Sequence, residues 1–75
     1  MRYQPTDWRQ LLQQVGRYRV DETIMQETRI TYRDIVAIRK GRLTAPKRQK
    51  QKDALSRMWW ELYGADVVAD EMRIR

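Results

Sequence analysis

The chain has 75 residues, enough for one modest hydrophobic core, and no cysteine or histidine, which excludes disulfide staples, thiolate metal sites and the commonest neutral metal ligand and general base. Its 16 Lys and Arg against 10 Asp and Glu give a net charge of +6 and a sequence pI of about 10.2, the balance of a polyanion binder. Apolar runs never exceed four residues, so neither a membrane span nor a secretory leader is predicted, and the expected location is the cytoplasm.

In chain order, Trp8, Leu11, Leu12 and Val15 have the i, i+3, i+4, i+7 spacing of one helical face and predict a first helix over residues 7–18. Thr6 or Asp7 is its expected N-cap, with Gln10 at capping-box distance from Asp7, and Gly16 loosens its end. Asp21 is expected to cap a two-turn second helix that points Ile24 and Met25 inward and runs to about Thr28, before a short turn through Arg29 and Ile30. Thr31, with Asp34 three residues on, opens a third helix reaching Lys40, and Asp34 is read as part of that cap. Ile35 and Ile38 lie on one side of it, while Tyr32, Arg33, Val36, Arg39 and Lys40 spread over the rest. Gly41 suits a left-handed stop.

Thr44 and Pro46 mark a fourth start, and Ala54, Leu55, Met58, Trp59, Leu62 and Tyr63 form a long apolar stripe for which Gly64 is the expected terminator. The polar turns Lys47 to Lys52 are expected to project past the core. Residues 65–72, with Val67, Val68 and Met72, predict a short fifth helix, although the last residues alternate as a brief strand does. These elements make an all-α, compact four- to five-helix bundle: one domain over 1–75, with its core at about 7–64 and residues 65–75 available for dimerisation.

Charge is concentrated. Residues 29–52 hold nine basic residues against one acid, Asp34, so this segment carries +8 and the rest of the chain −2. Such a concentration fits a surface that neutralises phosphates and releases their counterions.

Two short helices joined by a tight turn, the second basic and open on one side, describe a helix-turn-helix. The run from Ile24 through Met25, Arg29, Ile30, Thr31, Ile35 and Ile38 to Gly41 resembles the helix-turn-helix of the phage Cro and repressor family, and the resemblance extends over about residues 8–63. Ile24, Ile30, Ile35 and Ile38 fall where that family places the apolar residues joining its two helices. The chain departs from the family at Met25, where a small residue is usual, and at Arg29, where a turn glycine is usual. An Arg held at positive φ would cost about 1 kcal/mol relative to glycine.

The resemblance implies that the third helix docks by its N-terminal end in the major groove of double-stranded DNA, with Thr31, Tyr32, Arg33, Val36 and Ala37 nearest the base edges. Arg33 is the first choice for a bidentate contact to guanine. Arg39, Lys40, Arg42, Lys47 and Arg48 are assigned to backbone phosphates, which set register and orientation. Because one helix reads few base pairs, a C2 homodimer is expected, and Trp60, off the fourth helix's main stripe, forms with Val67, Val68 and Met72 the patch suited to it. The expected activity is that of a repressor-like regulator with no cofactor, no small-molecule substrate and no catalysis, since no nucleophile–base pair or glycine-rich phosphate loop is present. The rival readings are an RNA binder stacking bases on Tyr32 or Trp60, and a small phage-type adaptor that binds a host protein through the Trp60 patch.

Overall fold

The computed structural model describes residues 4–73, with side chains as far as Gly64. Asp7 opens α1 (Trp8–Val15) as its N-cap, its carboxylate accepting a 2.9 Å hydrogen bond from the backbone N–H of Arg9. Leu11, Leu12 and Val15 are buried and Trp8 packs at the edge of the core, which is the face their spacing predicts. The helix ends at Gly16, and Arg17 to Arg19 continue as turns. Val20 caps α2 (Asp21–Thr28) without a side-chain hydrogen bond. The expectation that Asp21 is the cap is corrected: it is the first helical residue, and its carboxylate is committed to Arg39.

Between α2 and α3 (Tyr32–Arg39) lie three residues, Arg29 to Thr31. Arg29 has φ 64° and ψ 15°, a left-handed conformation, and its N–H closes onto the carbonyl of Met25. The buried Thr28 hydroxyl donates to the Ile24 carbonyl at 2.6 Å and accepts from the N–H of Ile30 at 3.2 Å. That one oxygen satisfies the backbone where the chain leaves the helix and lets Ile30 turn into the core. Thr31 then caps α3, its hydroxyl accepting from the N–H of Asp34 at 3.2 Å.

α3 closes at Gly41, φ 76°, with Gly41 N–H on the Ile38 carbonyl and Arg42 N–H on the Ala37 carbonyl. This pair of bonds is the Schellman closure for which glycine is the favoured residue. The loop that follows buries Pro46.

α4 (Gln49–Arg73) starts three residues later than Pro46, with Gln51 reaching back to the N–H of Arg48 as a third-position amide does in a capping box. It also runs through Gly64 to Arg73, so Gly64 is no terminator and residues 65–72 are the end of α4, not a fifth helix. Gly64 has no positive φ, and a glycine in a helix interior costs only about 1 kcal/mol against alanine, less than the flanking turns supply.

α4 packs across α1 and α2, and α1 packs on α3. The core is Leu11, Leu12 and Val15 from α1, Ile24 from α2, Ile30 from the turn, Ile35 and Ile38 from α3, and Leu55, Met58, Trp59 and Tyr63 from α4. Trp59 and Tyr63, one turn apart, stack at 5.2 Å. Their polar tips both find Gln14 of α1: Trp59 Nε1 donates to its side-chain oxygen and the Tyr63 hydroxyl to its carbonyl, each at 2.8 Å. Large aromatics are thereby buried with their donors satisfied.

Candidate nucleic-acid interface

α3 turns Ile35 and Ile38 fully inward, which leaves the opposite side of the helix without cover from the rest of the bundle. Thr31, Tyr32, Arg33 and Lys40 are exposed, Tyr32 at 56%, and Val36 and Ala37 are half-buried at the margins. Of the five residues expected at the base edges, Thr31, Tyr32 and Arg33 are thus accessible together at the start of α3, while Val36 and Ala37 are half-buried at its middle. The Thr31 hydroxyl is already engaged as the cap.

Two ion pairs border this surface. On one side Arg39 grips Asp21 through both guanidinium nitrogens, at 2.6 and 2.8 Å. The hydrogen bonds from Arg39 hold the Asp21 carboxyl below its ordinary range against the opposing effect of burial, and the same bonds raise Arg39 above its own. On the other side Lys47 reaches Asp34 at 3.3 Å, with Asp34 nearly covered and Lys47 open to solvent. Arg39 and Asp34 are five residues apart, which sets them about 140° apart around the helix. They therefore flank α3 rather than sharing a face.

Of the five residues assigned to phosphates, Lys40, Arg42, Lys47 and Arg48 are exposed. Arg39 ties α3 to the start of α2, and Lys47 carries a carboxylate partner. Asp34 does more than cap: its backbone N–H meets Thr31, while its carboxylate takes Lys47.

Beyond Lys47 a groove of about 620 Å³ opens between the α2–α3 turn and the start of α4. Arg29, Arg33, Lys47, Arg48 and Lys50 line it against two carboxylates, Glu27 and Asp34. Gln51 spans its floor, donating to the Arg29 carbonyl at 2.9 Å and accepting from Arg48 N–H at 3.2 Å. The groove gathers cations that are 21 residues apart in sequence at its extremes, Arg29 and Lys50. Arg29 and Lys50 were legible as charge but not as members of one site, because the Gln51 contact that joins their elements is non-local.

Trp60 is 43% exposed, with its ring edge-on to Trp59 and its indole N–H donating to Gln4 at 2.7 Å. Gln4 also donates to Ser56 at 2.9 Å, which ties the N-terminal segment to α4. Val67, Val68 and Met72, the other members of the expected dimer patch, lie outside the described side chains. Among the described residues there is no cluster of acidic side chains able to hold a metal ion and no helix long and apolar enough to cross a membrane. No family model, curated protein or solved structure matches the chain.

Proposed function

We propose that this protein is a sequence-specific double-stranded DNA-binding regulator of the helix-turn-helix type, with α2 and α3 as the motif and α3 lying in the major groove. The observation that carries the reading is the two-sidedness of α3: Ile35 and Ile38 are sealed in the core, while Tyr32 and Arg33 stand in solvent beside a groove with five cations. A helix of this kind presents a rigid surface to base edges, with phosphate ligands already gathered at its flank. Arg29 in the left-handed conformation supports the same reading, since it falls where the Cro and repressor family has its turn glycine.

In this reading Arg33 donates its planar fork to guanine, Tyr32 offers its hydroxyl, and Val36 and Ala37 meet a thymine methyl. Lys40, Arg42, Lys47 and Arg48 hold phosphates, with Arg39 reserved for the α2–α3 brace. The protein acts as a C2 homodimer on two half-sites about 34–36 Å apart, with Trp60 at the subunit contact.

The test is a pair of substitutions measured on a duplex selected from a random pool and on an unrelated duplex. Arg33→Ala is expected to weaken the selected duplex by roughly 5- to 150-fold, the range of one bidentate base contact, and to relax preference at one base pair. Arg48→Ala is expected to weaken both duplexes alike and to reduce the salt slope by about 0.9 for each bound protomer. Equal loss on both duplexes from both substitutions removes Arg33 from base readout. Preference for single-stranded RNA over any duplex replaces this reading with stacking on Tyr32.

A further inference from the structure

A helix with its side chains is about 10–12 Å across and the major groove about 12 Å wide, so α3 fills the groove and whatever stands on either side of it meets one of the two phosphate strands. On one side that is the groove of Arg48 and Lys50. On the other side it is α1, which packs on α3.

Arg9 and Gln13 of α1 and Arg17, two residues past its end, recur every four residues, away from the buried Leu11, Leu12 and Val15. With Gly16 and Arg39 they line an open concavity of about 420 Å³ that contains no carboxylate among its lining residues. The fold joins this wall to α3 at two points. A Cβ at position 16 would lie 3.4 Å from a guanidinium nitrogen of Arg39, an ordinary contact distance, so Arg39 packs directly against the end of α1. Arg9 reaches the left-handed stop of α3, within 3.8 Å of where a Cβ of Gly41 would be.

Asp21 offsets the charge of Arg39, whereas Arg9 and Arg17 have no ion-pair partner among the described residues. Two uncompensated guanidinium groups therefore stand beside the last turn of α3, and they come from residues 1–28, where four basic and four acidic residues leave no net charge.

We propose that α1 is a second phosphate-binding wall: Arg9 and Arg17, aided by the Gln13 amide, take backbone phosphates of the strand opposite the one held by Arg48, so that α3 is gripped from both edges of the major groove. Arg39 is a positioning residue in this arrangement, aligning α1 with α3. The inference rests on the major-groove reading given above and adds the residues and strand that complete it.

The test combines phosphate-ethylation interference and salt titration on the duplex selected from the random pool. Because the two protomers of a C2 dimer mirror each other's contacts, the strands are compared within one half-site, where ethylation is expected to interfere on both strands with the wild-type protein. In the Arg9→Gln, Arg17→Gln double variant, interference in each half-site should vanish on one strand and persist on the other, with the salt slope reduced by about 1.8 for each bound protomer, or about 0.9 for each phosphate. Arg48→Gln should erase signals on the other strand, and Arg9→Lys, Arg17→Lys should restore most of the slope. Wild-type interference confined to one strand of each half-site overturns the second wall, even if the glutamine variant fails to fold, and so does an unchanged slope in a folded variant. A wild-type protein that binds no duplex overturns the major-groove reading itself, and the wall with it.

Discussion

Arg29 is the residue whose local chemistry conflicts most with its position. Its φ of 64° belongs to a conformation that costs a side-chain-bearing residue about 1–2 kcal/mol, yet the turn requires it so that Thr28 and Ile30 can both be buried. Glycine would remove that strain but add about 0.5–1 kcal/mol of backbone entropy lost on folding. Arg29→Gly is therefore expected to stabilise the fold modestly, by between zero and about 1 kcal/mol in urea unfolding. Removal of one groove cation should weaken duplex binding at low salt at the same time. The retention of Arg at a strained position is understandable if its charge is used, because the groove is where that charge points. A stability loss above about 1 kcal/mol would mean that the Arg29 side chain itself supports the turn.

At the level of elements, α2 and α3 contribute Ile24, Ile35 and Ile38 to one shared core, and the Asp21–Arg39 pair joins them at its margin. The acid sensitivity of that pair has a definite sign. Because Arg39 lowers the Asp21 carboxyl in the folded state, the pair contributes fully above the ordinary value of 3.8 and is lost as pH falls through the lowered folded value. Both side chains are about a third exposed, so solvent screening holds the contribution to about 1 kcal/mol or less. Asp21→Asn should thus melt below the wild type at pH 7, and the two curves should converge as the pH falls below 3.8. A gap that widened on acidification would contradict the assigned direction.

Elements of this chain were readable from sequence wherever the cause is local. The Asp7 and Thr31 caps, the stop at Gly41, and the apolar faces of α1, α3 and α4 all follow from spacings under eight residues. What escaped is long-range. Asp21 looked like a cap because its partner Arg39 is 18 residues away, and nothing local marks Gln14 as the acceptor for Trp59, 45 residues on. Gly64 looked like a stop because a glycine after an apolar stripe is ambiguous, and the helix continues where no local residue imposes a left-handed turn. The candidate site divides the same way: the outward face of α3 was visible in its periodicity, whereas Arg9 and Arg17 join it only through the packing of α1 on α3. The spacing of Arg9, Gln13 and Arg17, four residues from one to the next and away from the apolar face of α1, was the available signal.

For the whole molecule, a chain of 75 residues carries roughly 4–11 kcal/mol of folding stability, and one core of eleven buried side chains supplies its driving force. Leu12 is fully buried in it, and Leu12→Ala is expected to remove about 2–5 kcal/mol, a large share of that total. Thermal unfolding followed by circular dichroism should show a midpoint lowered by more than 10 °C, on the scale of about 4–8 °C per kcal/mol for a small domain. A shift of only a few degrees would mean that the site collapses around the smaller residue.

The uninterrupted run of α4 has a hydrodynamic consequence. Twenty-five helical residues measure about 37 Å, and the molecule is 44 Å long but only 21–22 Å across. A particle twice as long as it is wide tumbles and diffuses more slowly than a sphere of equal mass, so a single copy elutes early from a sizing column and imitates a larger assembly. Subunit number in this protein is therefore to be weighed by light scattering or sedimentation equilibrium, which report mass independently of friction.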